Sequence, residues 1–185
     1  MGEYNSERVA EGERPRQAIL DEIIRSAGVA PLAEITGPDG DRPRAIHQFG
    51  FTDDDARYLC VQQDLLLSGF PDQQATIRLP EPAIVYDVRA DEQVGDGPVQ
   101  EWDVTLSRGN PLVYAMLPYA VTGVGIDAPE AAERGANAEV TVRVDADAEV
   151  GYHVVRVDVY APGAERPHRQ YSQNVDCDGG PGTAT

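Results

Sequence analysis

The sequence predicts a mainly β protein in which one N-terminal helix precedes an antiparallel β-sandwich and a second, smaller β unit. Three observations lead there. Apolar residues recur at helical spacing only once, near the start. After Pro31 they alternate with polar residues in short runs. Those runs are separated by clusters of Gly, Pro and Asp, with no helical pattern between them, which argues for antiparallel pairing rather than parallel βαβ units.

The opening to about residue 16 is charged and unpatterned, and Pro15 suits a first helical turn. From Arg16 to Ala27, Ile19, Leu20, Ile23, Ile24 and Ala27 fall on one helical face, and Gly28 follows as a C′ residue. Residues 1–30 are therefore read as an N-terminal segment carrying one amphipathic helix. Residues 31–119 follow as the sandwich domain. Its strands are expected at Leu32 to Thr36, Ala45 to Phe51, Ala56 to Gln62, Ala75 to Leu79, Ile84 to Val88, Val99 to Leu106 and Leu112 to Leu117. Gly37-Pro38-Asp39-Gly40 and Ser107-Arg108-Gly109-Asn110-Pro111 are dense turn sequences.

Residues 120–185 are expected to form the second unit, with strands at Gly123 to Asp127, Ala138 to Val144, Tyr152 to Tyr160 and Gln170 to Val175. Val140, Val142 and Val144 share one face, and so do Val155, Val157 and Val159, opposite Thr141, Arg143, Arg156 and Asp158. Such strands are half solvated. Their number falls short of the roughly seven of an immunoglobulin sandwich, so the unit is either small and irregular or incomplete. Gly123-Val124-Gly125 and Gly179-Gly180-Pro181-Gly182 read as turns, since neither opens a helix or carries the Lys of a phosphate loop.

Composition narrows the partners. The chain has 32 Asp and Glu against 15 basic residues, all of them Arg, for a net charge of −17. A field of that sign repels phosphate backbones and anionic lipid heads, which argues against nucleic acid and membrane surfaces. Concentrated salt screens the self-repulsion of so acidic a chain, so a salt-rich setting is expected. No apolar run reaches the roughly 18 residues that cross a bilayer, and the polar start has no exportable core, so a cytoplasmic chain is expected. Cys60 and Cys177 lie far apart without CxxC spacing; free buried thiols are the expectation, although one disulfide stays open.

Residues that could carry chemistry are few. Asp53-Asp54-Asp55 suits a turn in which Asp side chains bond local amides, and Asp145-Ala146-Asp147-Ala148-Glu149 lacks the Gly and distal Glu of an EF-hand loop. Solvated turns are the expectation for both, with a Ca²⁺ ion on such oxygen-rich loops as the alternative. His47, His153 and His168 fall on separate elements, no G-x-S-x-G elbow accompanies them, and His47 and His153 are expected at the surface or at strand edges. No cofactor or catalytic residue is assigned. Stacking on a sugar ring would need an exposed aromatic face, and Trp102 is the one candidate for a ligand platform. Tyr86 and Tyr114 alternate with apolar neighbours, which indicates packing.

Four stretches together carry a resemblance: Phe51-Thr52-Asp53-Asp54-Asp55-Ala56-Arg57-Tyr58-Leu59, Ala75-Thr76-Ile77-Arg78-Leu79-Pro80, Ala83-Ile84-Val85-Tyr86-Asp87-Val88-Arg89 and Met116-Leu117-Pro118-Tyr119. They resemble the C-terminal, non-catalytic region of β-galactosidase-like glycoside hydrolases that carry a trimerisation domain. Val154 to Gly163 looks like the start of an immunoglobulin-, macroglobulin- or fibronectin-like β domain. The resemblance implies a terminal sandwich behind a catalytic barrel, with other domains or subunits of the hydrolase as partners. It carries over no catalytic position, because the acid and nucleophile of such enzymes sit on the barrel. A non-catalytic accessory region is thus the leading expectation. A stand-alone carbohydrate-binding module is the alternative, and an acidic enzyme of another kind is the third.

Overall fold

The computed structural model describes residues 18–20, 22–24, 26–64, 71–133 and 135–184; the acidic opening and the first part of the expected helix lie outside them. Residues 18–20, 22–24 and 26 are helical and form α1. The helix ends as its sequence predicts. Gly28 takes a φ of 76°, the Ala27 amide donates to the Ile23 carbonyl at 3.1 Å, and the Val29 amide reaches back to the Ile24 carbonyl at 3.2 Å. That six-to-one bond around a left-handed glycine is a Schellman ending, which satisfies carbonyls the helix leaves open.

Everything after α1 is extended. The strands are β1 (Glu34–Thr36), β2 (Ile46–Asp53), β3 (Ala56–Gln63), β4 (Gln73–Asp87), β5 (Glu92–Gln93), β6 (Val99–Leu106), β7 (Leu112–Leu117), β8 (Val121–Asp127), β9 (Val140–Ala146), β10 (Tyr152–Val157), β11 (Gln173–Asp178) and β12 (Gly182–Ala184). The expected mainly β, antiparallel class is thus the observed one. Contacts divide the chain into two compact units: one runs to Phe51 and resumes over Tyr58–Met116, and the other comprises Thr52–Arg57 and Leu117 onward.

The first unit is a seven-stranded sheet in the order β1-β4-β7-β3-β2, with β5 and β6 also pairing to β4. β4 organises it. Its first half pairs antiparallel with β1 and β6, as Ile35 with Ile77 and Ile77 with Trp102, while Tyr86 and Asp87 pair with β5. Two separate strands were expected here because Pro80-Glu81-Pro82 interrupts the pattern. The strand instead runs through, and its register with β6 slips between Arg78 and Ala83. Proline has no amide to donate, so pairing lapses locally without ending the strand. The Gln100 side-chain amide fills part of the gap, donating to the Leu79 carbonyl at 3.3 Å and the Pro80 carbonyl at 3.2 Å.

The bend lets the two arms of the sheet share a core. Ile35, Ala75, Ile77, Leu79, Val104 and Leu106 from one arm join Leu59, Val61, Ala83, Val85, Tyr114 and Met116 from the other. Leu59, Ile77, Val61 and Met116 are fully buried, and each such side chain stabilises the fold by roughly 1.5–3 kcal/mol relative to exposure.

The second unit pairs β12-β9-β8 in one sheet and β10-β11 in another. Val142, Val157, Val175, Cys177 and Ala184 form its core, with Val140 and Val155 against it, so Val140, Val142, Val155 and Val157 of the valines read from sequence point inward; Val159, expected on the same face, is exposed because β10 ends at Val157, short of the expected Tyr160. Among the described residues it has five strands rather than four.

The first glycine-rich spot proves to be strand rather than turn; the second is a turn, as expected, in which Gly179 (φ 63°), Gly180 and Pro181 link β11 to β12. Gly123 and Gly125 lie within β8, where Gly125 faces Arg143 and leaves room for its guanidinium to cross the strand. Gly182 opens β12, and a Cβ there would run into the Asp176 carbonyl and the Val175 side chain. Close approach of two backbones is what glycine permits. A Gly182→Ala variant should lose about 1–3 kcal/mol in denaturant unfolding because backbone must move, whereas Gly125→Ala meets only a flexible arginine and should cost well under 1 kcal/mol. Equal losses at the two positions would refute this account.

Candidate functional site

Tyr119, buried in the second unit just after β7, gathers polar groups from several segments of that unit. Its hydroxyl lies 2.9 Å from the His153 Nε2 and accepts the Gly151 amide at 2.9 Å. His153 comes from the start of β10, and its ring lies 5.9 Å from the phenol ring. A Cβ built on Gly151 would be 3.4 Å from the Tyr119 hydroxyl and 3.7 Å from carboxylate oxygens of Asp54 and Asp55, so this glycine marks where the β2–β3 turn, the phenol and the 150–153 backbone converge. Nearby, Ala120 and Asp147 close a ring: the Ala120 amide donates to the Asp147 carboxylate at 2.8 Å, and the Asp147 amide donates to the Ala120 carbonyl at 3.1 Å.

Hydrogen-bond accounting assigns the protons. With the Gly151 amide on one side of the phenol oxygen, the remaining proton of Tyr119 is satisfied by pointing at the imidazole. His153 is then the acceptor, neutral, with its proton on Nδ1. Burial lowers the pKa of His153 below the ordinary 6.5, which favours the same neutral form. The arrangement can orient a phenol and hold a neutral imidazole; it includes no serine or cysteine nucleophile.

The other sequence candidates are used locally. Asp54 takes a φ of 50° in the tight turn between β2 and β3, as a turn aspartate can. Asp145 pairs with Arg143 at 3.1 Å, and Asp147 caps Ala120. Among the described residues, no group of three His, Cys, Asp or Glu side chains is placed to hold a metal ion. Cys60 and Cys177 are free thiols, the second buried with its Sγ 3.8 Å from the Val142 carbonyl. His47 is exposed on β2 and bonds Asp64 at 2.9 Å, and the His168 ring stands edge-on to Tyr171 at 5.7 Å. Among the described residues, no helix is long and apolar enough to cross a membrane.

Trp102 is half-buried on β6, packed against the first core, with its ring 5.1 Å from Tyr114 at 73°. That edge-to-face contact is a packing geometry. Burial pushes the Tyr114 phenol up, and the indole N–H leans close enough to oppose the rise. It still lacks hydrogen-bond geometry: the buried Nε1 of Trp102 has no acceptor among the described residues.

Sequence reasoning missed two groupings. The pairing of Tyr119 with His153 spans 34 positions and leaves no local trace. On β2, His47, Phe49 and Phe51 share one exposed face; Phe49 and Phe51 are 47% and 61% exposed, and the His47 ring stacks on Phe49 at 6.3 Å and 23°. Their alternation was visible, but which face of the strand meets solvent depends on sheet order. No protein family, curated protein or solved structure matches the chain.

The hydrogen bond to Tyr119 has a pH signature. Because the folded pKa of His153 lies below 6.5, its contribution to stability is complete above about pH 6.5 and declines as pH falls from there through the folded value. Imidazole resonances followed by NMR should show His153 titrating at lower pH than a model imidazole, and a His153→Gln variant should flatten the pH dependence of unfolding between pH 7 and 5. A His153 titration above 6.5 would overturn the proton assignment.

Proposed function

We propose that this chain is a non-catalytic β-sandwich accessory region, akin to the C-terminal part of a β-galactosidase-like glycoside hydrolase, that works through contacts with other domains or subunits of such an enzyme. The observation that supports this reading is the apolar face of α1. Ile19, Leu20, Ile23 and Ile24 are all exposed, Ile23 at 58%, and Val29 beside them is exposed as well. Burying a face of this kind is what makes an amphipathic helix stable, so an unpartnered one is suited to association. The acid excess fits work in a salt-rich cell, where screening lets two such surfaces approach.

The alternative, a stand-alone carbohydrate-binding module, rested on Trp102. A platform for a sugar ring needs an open aromatic face, and the half-buried, edge-on packing of Trp102 favours the accessory reading instead.

The test uses a barrel-bearing β-galactosidase chain as binding partner. Association measured by calorimetry should weaken by about tenfold or more in an Ile19→Asp/Ile23→Asp variant, the scale of losing a central apolar contact. The isolated chain should leave a nitrophenyl galactoside unhydrolysed. Turnover at enzyme-like rates, or binding untouched by the helix variant, would overturn the proposal.

A further inference from the structure

The exposed stripe on β2 belongs to a strand that ends its sheet. β2 is the terminal member of the order β1-β4-β7-β3-β2, so among the described residues one of its sides has no neighbouring strand in that sheet. Open edges template pairing with another chain, and proteins blunt them with Lys, Pro, bulges or short length. β2 has eight residues, Ile-His-Gln-Phe-Gly-Phe-Thr-Asp, with no Lys, Arg or Pro among them.

The direction of its free groups follows from one hydrogen bond. The Asp64 amide donates to the Ala45 carbonyl at 2.7 Å, which fixes the antiparallel phase of β2 against β3. Odd-numbered residues of β2 then turn their amides and carbonyls toward β3, while Gln48, Gly50 and Thr52 turn theirs away. The side chains of His47, Phe49 and Phe51 stand together on one face.

About Gly50 the sequence is self-complementary. Phe49 mirrors Phe51, Gln48 mirrors Thr52, and the imidazole His47 mirrors the carboxylate Asp53. We propose that β2 pairs antiparallel with β2 of a second copy of this chain across a two-fold axis at Gly50. The contact goes beyond the hydrolase-facing helix, since it joins like to like. In that register the outward amides and carbonyls of Gln48, Gly50 and Thr52 meet those of Thr52, Gly50 and Gln48 of the second copy. Each Phe49 lies opposite a Phe51, an aromatic cross-strand pair. Each His47, bonded to Asp64 of its own copy at 2.9 Å, lies opposite an Asp53 of the second, so no two like side chains meet at either end of the contact. Gly50 at the axis has no side chain of its own, and its inner face is taken by Leu32, whose Cδ2 lies 3.1 Å from where a Cβ would stand, which leaves its backbone amide and carbonyl to the edge. A surface patch that serves both partners in this way is the isologous interface of a closed dimer. The charge of −17 on each copy opposes the approach, so salt strengthens the pairing by screening.

Sedimentation of the full chain over a range of concentration and salt tests this. The expected result is an equilibrium between the 20.0 kDa chain and twice that mass, shifted to the dimer at higher salt. Phe49→Lys/Phe51→Lys makes each copy less negative overall yet sets cation against cation across the axis; it should raise the dimer dissociation constant by about tenfold or more. Phe49→Glu/Phe51→Glu should do the same, and mixing the two variants should restore a dimer. Both rings are exposed, so the variants should fold, as near-ultraviolet circular dichroism would check. Thr52→Pro, which deletes an outward amide, is the independent edge block. A monomer at every concentration in high salt, a trimer, lysine variants that still dimerise, or a mixture that stays monomeric would each overturn the proposal. None of these readouts depends on hydrolase binding, so its failure and that of the accessory reading are separable.

Discussion

The first unit depends on one long strand that is allowed to break its own pairing. β4 spans 15 residues and supplies core side chains on both sides of its bend, from Ala75, Ile77 and Leu79 to Ala83 and Val85. A straight strand of that length would present one flat face with nothing to pack against. The two prolines around Glu81 remove donors at the point where the register with β6 slips, and the Gln100 amide supplies the carbonyls left there. Sheet curvature and core formation are thus consequences of a local loss of hydrogen bonds.

The second unit solves the same problem with fewer residues. Its core is small, mostly valine, and two short sheets must approach closely to bury it. Glycine does at Gly182 what the proline bend does in β4: it removes an obstacle where backbones must meet. The polar grouping of Tyr119, His153 and Gly151 adds directional bonds to this unit, in which each buried donor finds an acceptor.

Most strands were legible because alternation with period two survives any rearrangement of strand order. β6 and β7 lie where their patterns begin and end, and Gly28 caps α1 as its position indicates. Proline misled in β4 and glycine in β8. Both are read as punctuation, yet a strand tolerates them wherever a neighbour can do without one hydrogen bond or needs one Cβ fewer. Sheet order was not legible at all, because it is set by contacts between distant segments. The edge position of β2 and the exposure of Phe49 and Phe51 follow from that order, as does the meeting of Tyr119 with His153. The edge-on contact of Trp102 with Tyr114 on β7 likewise depends on sheet order.

The two thiols fall one to each unit, Cys60 half-buried on β3 and Cys177 fully buried on β11. An alkylating reagent can reach Cys177 only when the small valine core opens, so its modification rate counts openings of that unit. The chain therefore carries, without any added label, a clock for the fluctuations of its second unit.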